Sequence, residues 1–165
     1  MKLQRATGTY AQSNQPGRTL VLTGLDAIRT LRSLTLRGEV HRLAIEGDDR
    51  IVSLRGLLLP RSVTELEVTR CLSFSSLDGA EDLAGSRLEK FELAIVRLSG
   101  SFEEAVAPLF RTGHDRYAPL IEQLRHIHIS SPGGAEVGAF IKRLTELDFK
   151  VKSIRPMHHV ITARR

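Results

Sequence analysis

The chain has no tryptophan, a single cysteine and few aromatic residues, and these shortages exclude several classes of protein and of site. One cysteine, Cys71, can form neither an intramolecular disulfide nor a thiolate cluster for zinc. No apolar segment is long enough to span a bilayer, and Met1–Arg5 is not followed by the apolar core of a signal peptide. We therefore expect a soluble protein that is cytoplasmic or otherwise intracellular.

Motifs of catalysis and cofactor binding are also missing. The sequence contains no metalloprotease helix, phosphate-binding Gly-Lys loop, dinucleotide glycine fingerprint or Gly-x-Ser-x-Gly elbow. Gly133-Gly134 precedes a predicted helix and could receive an anion, but a tight turn is the better interpretation. We expect a protein that is not an enzyme, with no catalytic residue, cofactor or metal.

Composition favours one domain with an aliphatic core. The 165 residues are 41% hydrophobic, and leucine is abundant along the whole chain. The formal net charge of +5 makes nucleic acid or an acidic surface possible partners. Acidic and basic residues are interspersed, however, so the charge alone does not identify a partner.

The most informative feature is an internal repeat. A shift of 23 residues carries Leu43-Ala44-Ile45 onto Leu66-Glu67-Val68, and it also carries Gly56 onto Gly79. A fixed period of this size is typical of solenoids, in which each unit buries its apolar face against its neighbours. The units share a frame with period-two alternation, which predicts half-buried strands. The copies are a partial Leu20-x-Leu22, then Val40-x-x-Leu43-x-Ile45, Val63-x-x-Leu66-x-Val68, Leu88-x-x-Phe91-x-Leu93, Leu124-x-x-Ile127-x-Ile129 and Leu144-x-x-Leu147-x-Phe149.

This frame resembles the leucine-rich repeat, whose core is L-x-x-L-x-L-x-x-N/C-x-L. Val63 to Cys71 places a cysteine in the family's Asn/Cys position, which would point it inward in a structural role. Residues 124–144 look like the longer ribonuclease-inhibitor type of unit. Elsewhere the Asn/Cys position departs from the family and holds Asp48, Val96, Pro132 and Lys152.

The resemblance implies an α/β fold: a right-handed solenoid with a parallel sheet on its concave face. Residues 17–154 would form the repeat domain, 1–16 an N-terminal tail or cap, and 155–165 a C-terminal tail or cap. We expect an irregular convex side early and helices later.

Two helices are predicted on that convex side. A capping box, Ser101 with Glu104, opens one helix that runs to about Phe110. Ser131 and Pro132 are the predicted N-cap and first residue of another, whose apolar stripe is Val137, Phe140, Ile141 and Leu144. Residues 112–120 form an excursion with room for a second short helix ending near Leu124.

Leu31–Leu36 also fits the strand frame, yet it begins only nine residues before Val40. It either lies on the convex side or is a strand of the concave face. In the second case the predicted alignment of the first repeat units is wrong.

The polar positions of the frame define the candidate binding surface. His126 and His128 point to one face of their strand, where His128 could meet Glu92 or Asp148 on neighbouring strands. Two histidines and a carboxylate can bind zinc, but contact with solvent or a partner is the better interpretation. His158-His159 is similarly interpreted as an ordinary chain end. The predicted partner-binding residues are Glu65, Glu67, Glu89, Glu92, His126, His128, Glu146 and Asp148.

These expectations favour a non-catalytic protein-interaction module or scaffold whose strand face binds another protein with a cationic surface. The alternative is a basic subunit of an RNA–protein assembly. Because the strand face is mainly acidic, RNA would contact the convex side instead. The arginines that collect there are Arg29, Arg32, Arg37, Arg50, Arg55 and Arg61.

Overall fold

The computed structural model describes residues 19–23, 39–94, 96–98, 100–113, 117–132, 137–154 and 158–165. The protein is α/β, with one mostly parallel seven-stranded sheet and few helices. The strands are β1 (Thr19–Thr23), β2 (Arg42–Glu46), β3 (Glu65–Thr69), β4 (Lys90–Ala94), β5 (His126–Pro132), β6 (Lys150–Ile154) and β7 (His158–Arg164). The helices are α1 (Phe102–Val106), α2 (Leu120–Gln123) and α3 (Gly138–Glu146), with 3₁₀ turns at Ala80–Leu83 and Ala107–Phe110.

The strands lie in the order β1-β2-β3-β4-β5-β7-β6. The first five are parallel and in register, so equivalent residues of successive units lie side by side. One apolar row is Leu20, Leu43, Leu66, Phe91 and Ile127, and a second is Leu22, Ile45, Val68, Leu93 and Ile129. Both rows face the core, which confirms the strand frame for these five units.

Backbone hydrogen bonds repeat in the same way from unit to unit. The carbonyl oxygen of His41 accepts from the N–H groups of Thr64 and Glu65 at the start of β3. The carbonyl of Thr64 does the same for Glu89 and Lys90, and that of Glu89 for Arg125 and His126. One carbonyl thus fixes the entry of each following strand, which explains why the register holds although the units differ in length.

The turns after β2 and β3 also repeat. Gly47 and Arg70 occupy equivalent positions, and both have a left-handed backbone, with φ of 64° and 56°. The next position in each turn points inward: Asp48 and Cys71 are buried. Asp48 accepts hydrogen bonds from the N–H groups of Arg50 and Ile51 through Oδ1. Its side chain therefore holds the turn from inside.

Cys71 is fully buried, and its Sγ donates to the carbonyl oxygen of Thr69 at 3.4 Å. Burial raises the pKa of the thiol, so the reactive thiolate is disfavoured. The inward orientation inferred from the repeat is confirmed, and the environment of the thiol suits a packing role.

The sixth predicted strand is wrong. Leu144 belongs to α3, Leu147 is the C-cap residue of that helix, and β6 begins only at Lys150. Nor does β6 extend the parallel series, because it pairs antiparallel with β7 at the sheet edge. Leu144 satisfies the strand frame and the helical stripe with Phe140 equally well, and the helical period prevails.

The C-terminal segment is part of the sheet. Residues 158–164 of the predicted tail or cap form β7, which inserts between β5 and β6 and runs antiparallel to both. Ile161 and Ala163 complete the apolar rows and are fully buried. Arg165 holds the end in place: its side chain donates to the carbonyl of Ile121 at 2.7 Å, and its guanidinium lies over the ring of Phe149. The pairing with β7 covers the edge of β5.

The helices lie beside the core face of the sheet and differ in part from expectation. The Ser101–Glu104 capping box is confirmed, and α1 continues as a 3₁₀ turn to Phe110. The predicted N-cap of α3 is wrong, because Ser131 and Pro132 belong to β5 and the helix begins at Gly138.

The remaining convex-side expectations have mixed outcomes. The α3 stripe is confirmed, with Phe140 and Leu144 buried and Phe140 packed edge-on against Phe102. The short helix α2 ends at Gln123 with Leu124 as its C-cap residue, in agreement with the expected end near Leu124, and residues 114–116 of the predicted excursion lie outside the described residues. Segments 1–16 and Leu31–Leu36 lie outside the described residues.

Candidate binding surface

The side of the sheet opposite the core is polar, and we call it the open face. Its central row, from β2 to β6, is Ala44, Glu67, Glu92, His128, Thr162 and Lys152. A flanking row at the start of the parallel strands is Arg42, Glu65, Lys90, His126, Arg164 and Lys150. Alternation along each strand places these side chains on the face that the aliphatic rows leave free.

Five of the eight predicted binding residues lie on this face. Glu65 and Glu67 come from β3, Glu92 from β4, and His126 and His128 from β5. Glu89 precedes β4 at the rim, where its carboxylate lies 3.9 Å from Nε of Arg125.

Glu146 and Asp148 do not lie on the open face, and their predicted position is wrong. Glu146 ends α3 and pairs with Lys142 one helical turn earlier, while Asp148 sits in the following turn with φ of 63°. Both were placed on a sixth parallel strand that does not form. His128 therefore neighbours Glu92 on one side, as expected, but Thr162 instead of Asp148 on the other.

Two ion pairs order the first half of the open face. Arg42 donates from its guanidinium to Oε2 of Glu67, crossing from β2 to β3, and this hydrogen bond raises the pKa of Arg42. Lys90 lies with Nζ 3.4 Å from Oε2 of Glu65 on the strand directly beside it. Both pairs are partly exposed, so each contributes at most about 1 kcal/mol to folding.

Glu67 and Glu92 lie directly opposite each other on adjacent parallel strands. Like charges in this arrangement destabilise a sheet. Arg42 neutralises Glu67, whereas no ion pair or hydrogen bond joins Glu92 to another of the described residues. The carboxylate of Glu92 is thus the acidic group of the central row most available to a ligand.

The two histidines have different surroundings. Partial burial, with the nearby charges of Arg164 and Lys90, lowers the pKa of His126, so its neutral form is favoured. His128 is hydrogen-bonded to Thr162, with Nδ1 and Oγ1 3.1 Å apart. In the described part of the chain, histidine, cysteine and carboxylate side chains form no group of three suited to a metal ion.

Sequence reasoning missed part of the basic end of this face. Arg164 was assigned to a tail, and Lys152 to an inward position, whereas both side chains belong to the open-face rows. The available signal was the alternation of residues 158–164, in which Ile161 and Ala163 face the core. That signal is weak, because a single large aliphatic residue carries it.

The convex arginines of the RNA alternative are only partly described. Arg50, Arg55 and Arg61 are exposed, and Arg55 lies 4.0 Å from Asp78. Arg29, Arg32 and Arg37 lie outside the described residues. Among the residues that the structure describes, no helix combines the length and apolar character needed to cross a bilayer.

Comparison with protein-family models, with curated proteins and with solved structures finds no match. The resemblance to leucine-rich repeats therefore depends on the residues and geometry of this chain.

Proposed function

We propose that the chain is a solenoid of leucine-rich-repeat type that acts as a non-catalytic protein-interaction module. Its open face binds a cationic segment of a partner protein, and Glu92 is the main anchor. Support for the architecture comes from the five in-register parallel strands and from the strand-entry hydrogen bonds that recur in successive units. Repeat architectures commonly bind partners through the extended surface of their stacked strands.

The observation that carries the functional proposal is the Glu67–Glu92 pair. Two carboxylates side by side are a cost to the sheet, and of the two only Glu67 forms an ion pair among the described residues. A lysine or arginine of a partner lying over Glu92 would remove that cost. The binding energy would then include relief of repulsion present in the free protein.

The test replaces Glu92 with lysine and compares it with Glu122→Lys, which makes the same charge change at an exposed position on α2. Proteins captured from the native source by the wild type and by Glu122→Lys, but not by Glu92→Lys, are candidate partners. Each is then purified and titrated against the three chains. Losing a close charge pair and creating repulsion costs about 2–5 kcal/mol, so we expect affinity to fall at least tenfold for Glu92→Lys.

Equal affinity of a purified partner for all three chains would contradict the proposal, as would a partner whose binding does not weaken with added salt. The unfolding midpoint of Glu122→Lys should lie close to the wild-type value, and that of Glu92→Lys at or above it, because lysine at position 92 removes the repulsion with Glu67. Neither carboxylate joins a hydrogen bond or ion pair among the described residues.

A further inference from the structure

The antiparallel strands β7 and β6 give the open face a second, basic half. Lys150 lies directly opposite Arg164, and Lys152 directly opposite Thr162. The side chains of Lys150, Lys152 and Arg164 are exposed, and none forms an ion pair with a residue that the structure describes. We call these three residues the basic half.

The acidic half lies on β2, β3 and β4. It contains four carboxylates, Glu46, Glu65, Glu67 and Glu92, and two cations, Arg42 and Lys90, which leaves a net charge of −2. The basic half carries +3 when histidines are counted as neutral. The two halves therefore have opposite sign and similar size, and β5 separates them.

The two halves are too far apart to neutralise each other within one molecule. β6 lies three strand positions from β4, and Arg164 on β7 lies two positions from β4, or about 10 Å at the usual spacing between strands. This exceeds the screening length of about 8 Å at physiological ionic strength. Each half therefore presents its own field to a molecule that approaches the face.

A second copy of this chain complements both halves at once. A half-turn about an axis parallel to the strands at β5 places β4 opposite β7 of the second copy, and β3 opposite β6. Because a two-fold interface is self-complementary, each acidic half then meets a basic half and the favourable contact occurs twice. Along the strands the rows stay level, so Glu67 comes opposite Lys152 of the other copy and Glu65 opposite Lys150, while Glu92 lies one strand away from Lys152. Lys90 comes opposite Arg164, and the two opposed carboxylate–lysine pairs outweigh this repulsion.

We propose that the open face is also a self-association surface, on which two copies dock face to face with the acidic half of each against the basic half of the other. With the axis at β5, the strands that overlap are β3, β4, β5, β7 and β6 of each copy. Four strand spacings by five residues give about 19 Å by 17 Å, so about 320 Å² per copy and 640 Å² in total is available. This is below the size of stable specific interfaces and in the range of transient contacts. The dimer is accordingly weak, and because its contacts are exposed charges it dissociates in salt. Since it covers Glu92, self-association competes with the cationic partner proposed above.

The experiment measures molar mass by sedimentation equilibrium at protein concentrations up to about 1 mM, in low and in high salt. We expect the wild type to dimerise in low salt and to become monomeric in high salt. Glu92→Lys and Lys152→Glu should each lower the association constant at least tenfold, because Glu92→Lys places a cation one strand from Lys152 and Lys152→Glu places a carboxylate opposite Glu67. Glu122→Lys and Arg97→Glu, at exposed positions outside the open face, are controls with the same charge changes.

The decisive experiment mixes the two charge-reversed variants. An equimolar mixture of Glu92→Lys and Lys152→Glu should dimerise again, because each variant then offers the charge that the other needs, and the double variant should also dimerise. A wild type that is monomeric throughout overturns the proposal. So does a mixture that stays monomeric, or an equal loss in the control variants. Lys152→Glu keeps Glu92 free for a cationic partner, so failure of self-association is separable from failure of the proposed function.

Discussion

Replacing Gly79 with alanine is expected to destabilise the fold by about 2–5 kcal/mol. Gly79 has φ of 94°, a left-handed conformation that costs a residue with a Cβ about 1–2 kcal/mol. A Cβ built there would lie 2.5 Å from the backbone N and Cα of Arg55 in the preceding unit. Backbone cannot move aside as a flexible side chain does, and overpacking adds about 1–3 kcal/mol.

The test compares the urea unfolding of Gly79→Ala with that of Gly138→Ala. Gly138 begins α3, its φ is not positive, and no heavy atom lies within 4 Å of the position of its Cβ. Alanine there should leave stability unchanged or raise it by up to about 1 kcal/mol, because alanine is the better helix former. Similar midpoints for the two variants would show that the close approach between the units at Gly79 and Arg55 is absent.

Replacing Ile161 with aspartate is expected to unfold the protein or to cost more than about 4 kcal/mol. Ile161 is fully buried beside Ile129, and an unpaired carboxylate there loses its hydration without gaining a partner. The matched variant is Val160→Asp, one residue earlier on the partly exposed open face, which should cost less than about 1 kcal/mol. Circular dichroism with thermal unfolding distinguishes the two.

This pair of variants tests whether residues 158–164 form a strand of the sheet at all. In a loose tail, both substitutions would be tolerated equally. A large cost at position 160 with none at 161 would mean that the faces of β7 are reversed.

The five parallel strands were predictable because residues at equivalent positions of the sequence repeat become register partners on neighbouring strands. Leu43, Leu66 and Phe91 recur at matching places in the frame, and residues that repeat along a stacked chain must lie side by side. Glu67, Glu92 and His128 followed automatically, since they lie between the apolar positions of the frame. Wherever the repeat itself was correct, the predicted residues therefore lie on the open face as expected.

The end of the repeat could not be read from its period. Leu144 fits a strand frame and a helical stripe alike, and only the packing of that stripe in the core, where Phe140 lies edge-on against Phe102, decides between them. The strand β7 forms through pairing with β5, which lies far from it in the sequence, and no local sequence pattern predicts that pairing. Because the predicted sixth strand supplied Glu146 and Asp148, the error also made the surface too acidic, and part of its basic half was missed.

The most direct test of the central claim, that β7 closes the series of parallel strands beside β5, is cysteine cross-linking on the open face. One double variant carries His128→Cys with Thr162→Cys, the pair that the structure places opposite each other, and another carries His128→Cys with Asp148→Cys. After mild oxidation and proteolysis, mass spectrometry should find the 128–162 disulfide in high yield and little of the 128–148 disulfide. Cys71 stays in place in both, since it is fully buried. The reverse result would restore a sixth parallel strand and an acidic face, and would contradict the division of the open face into two halves.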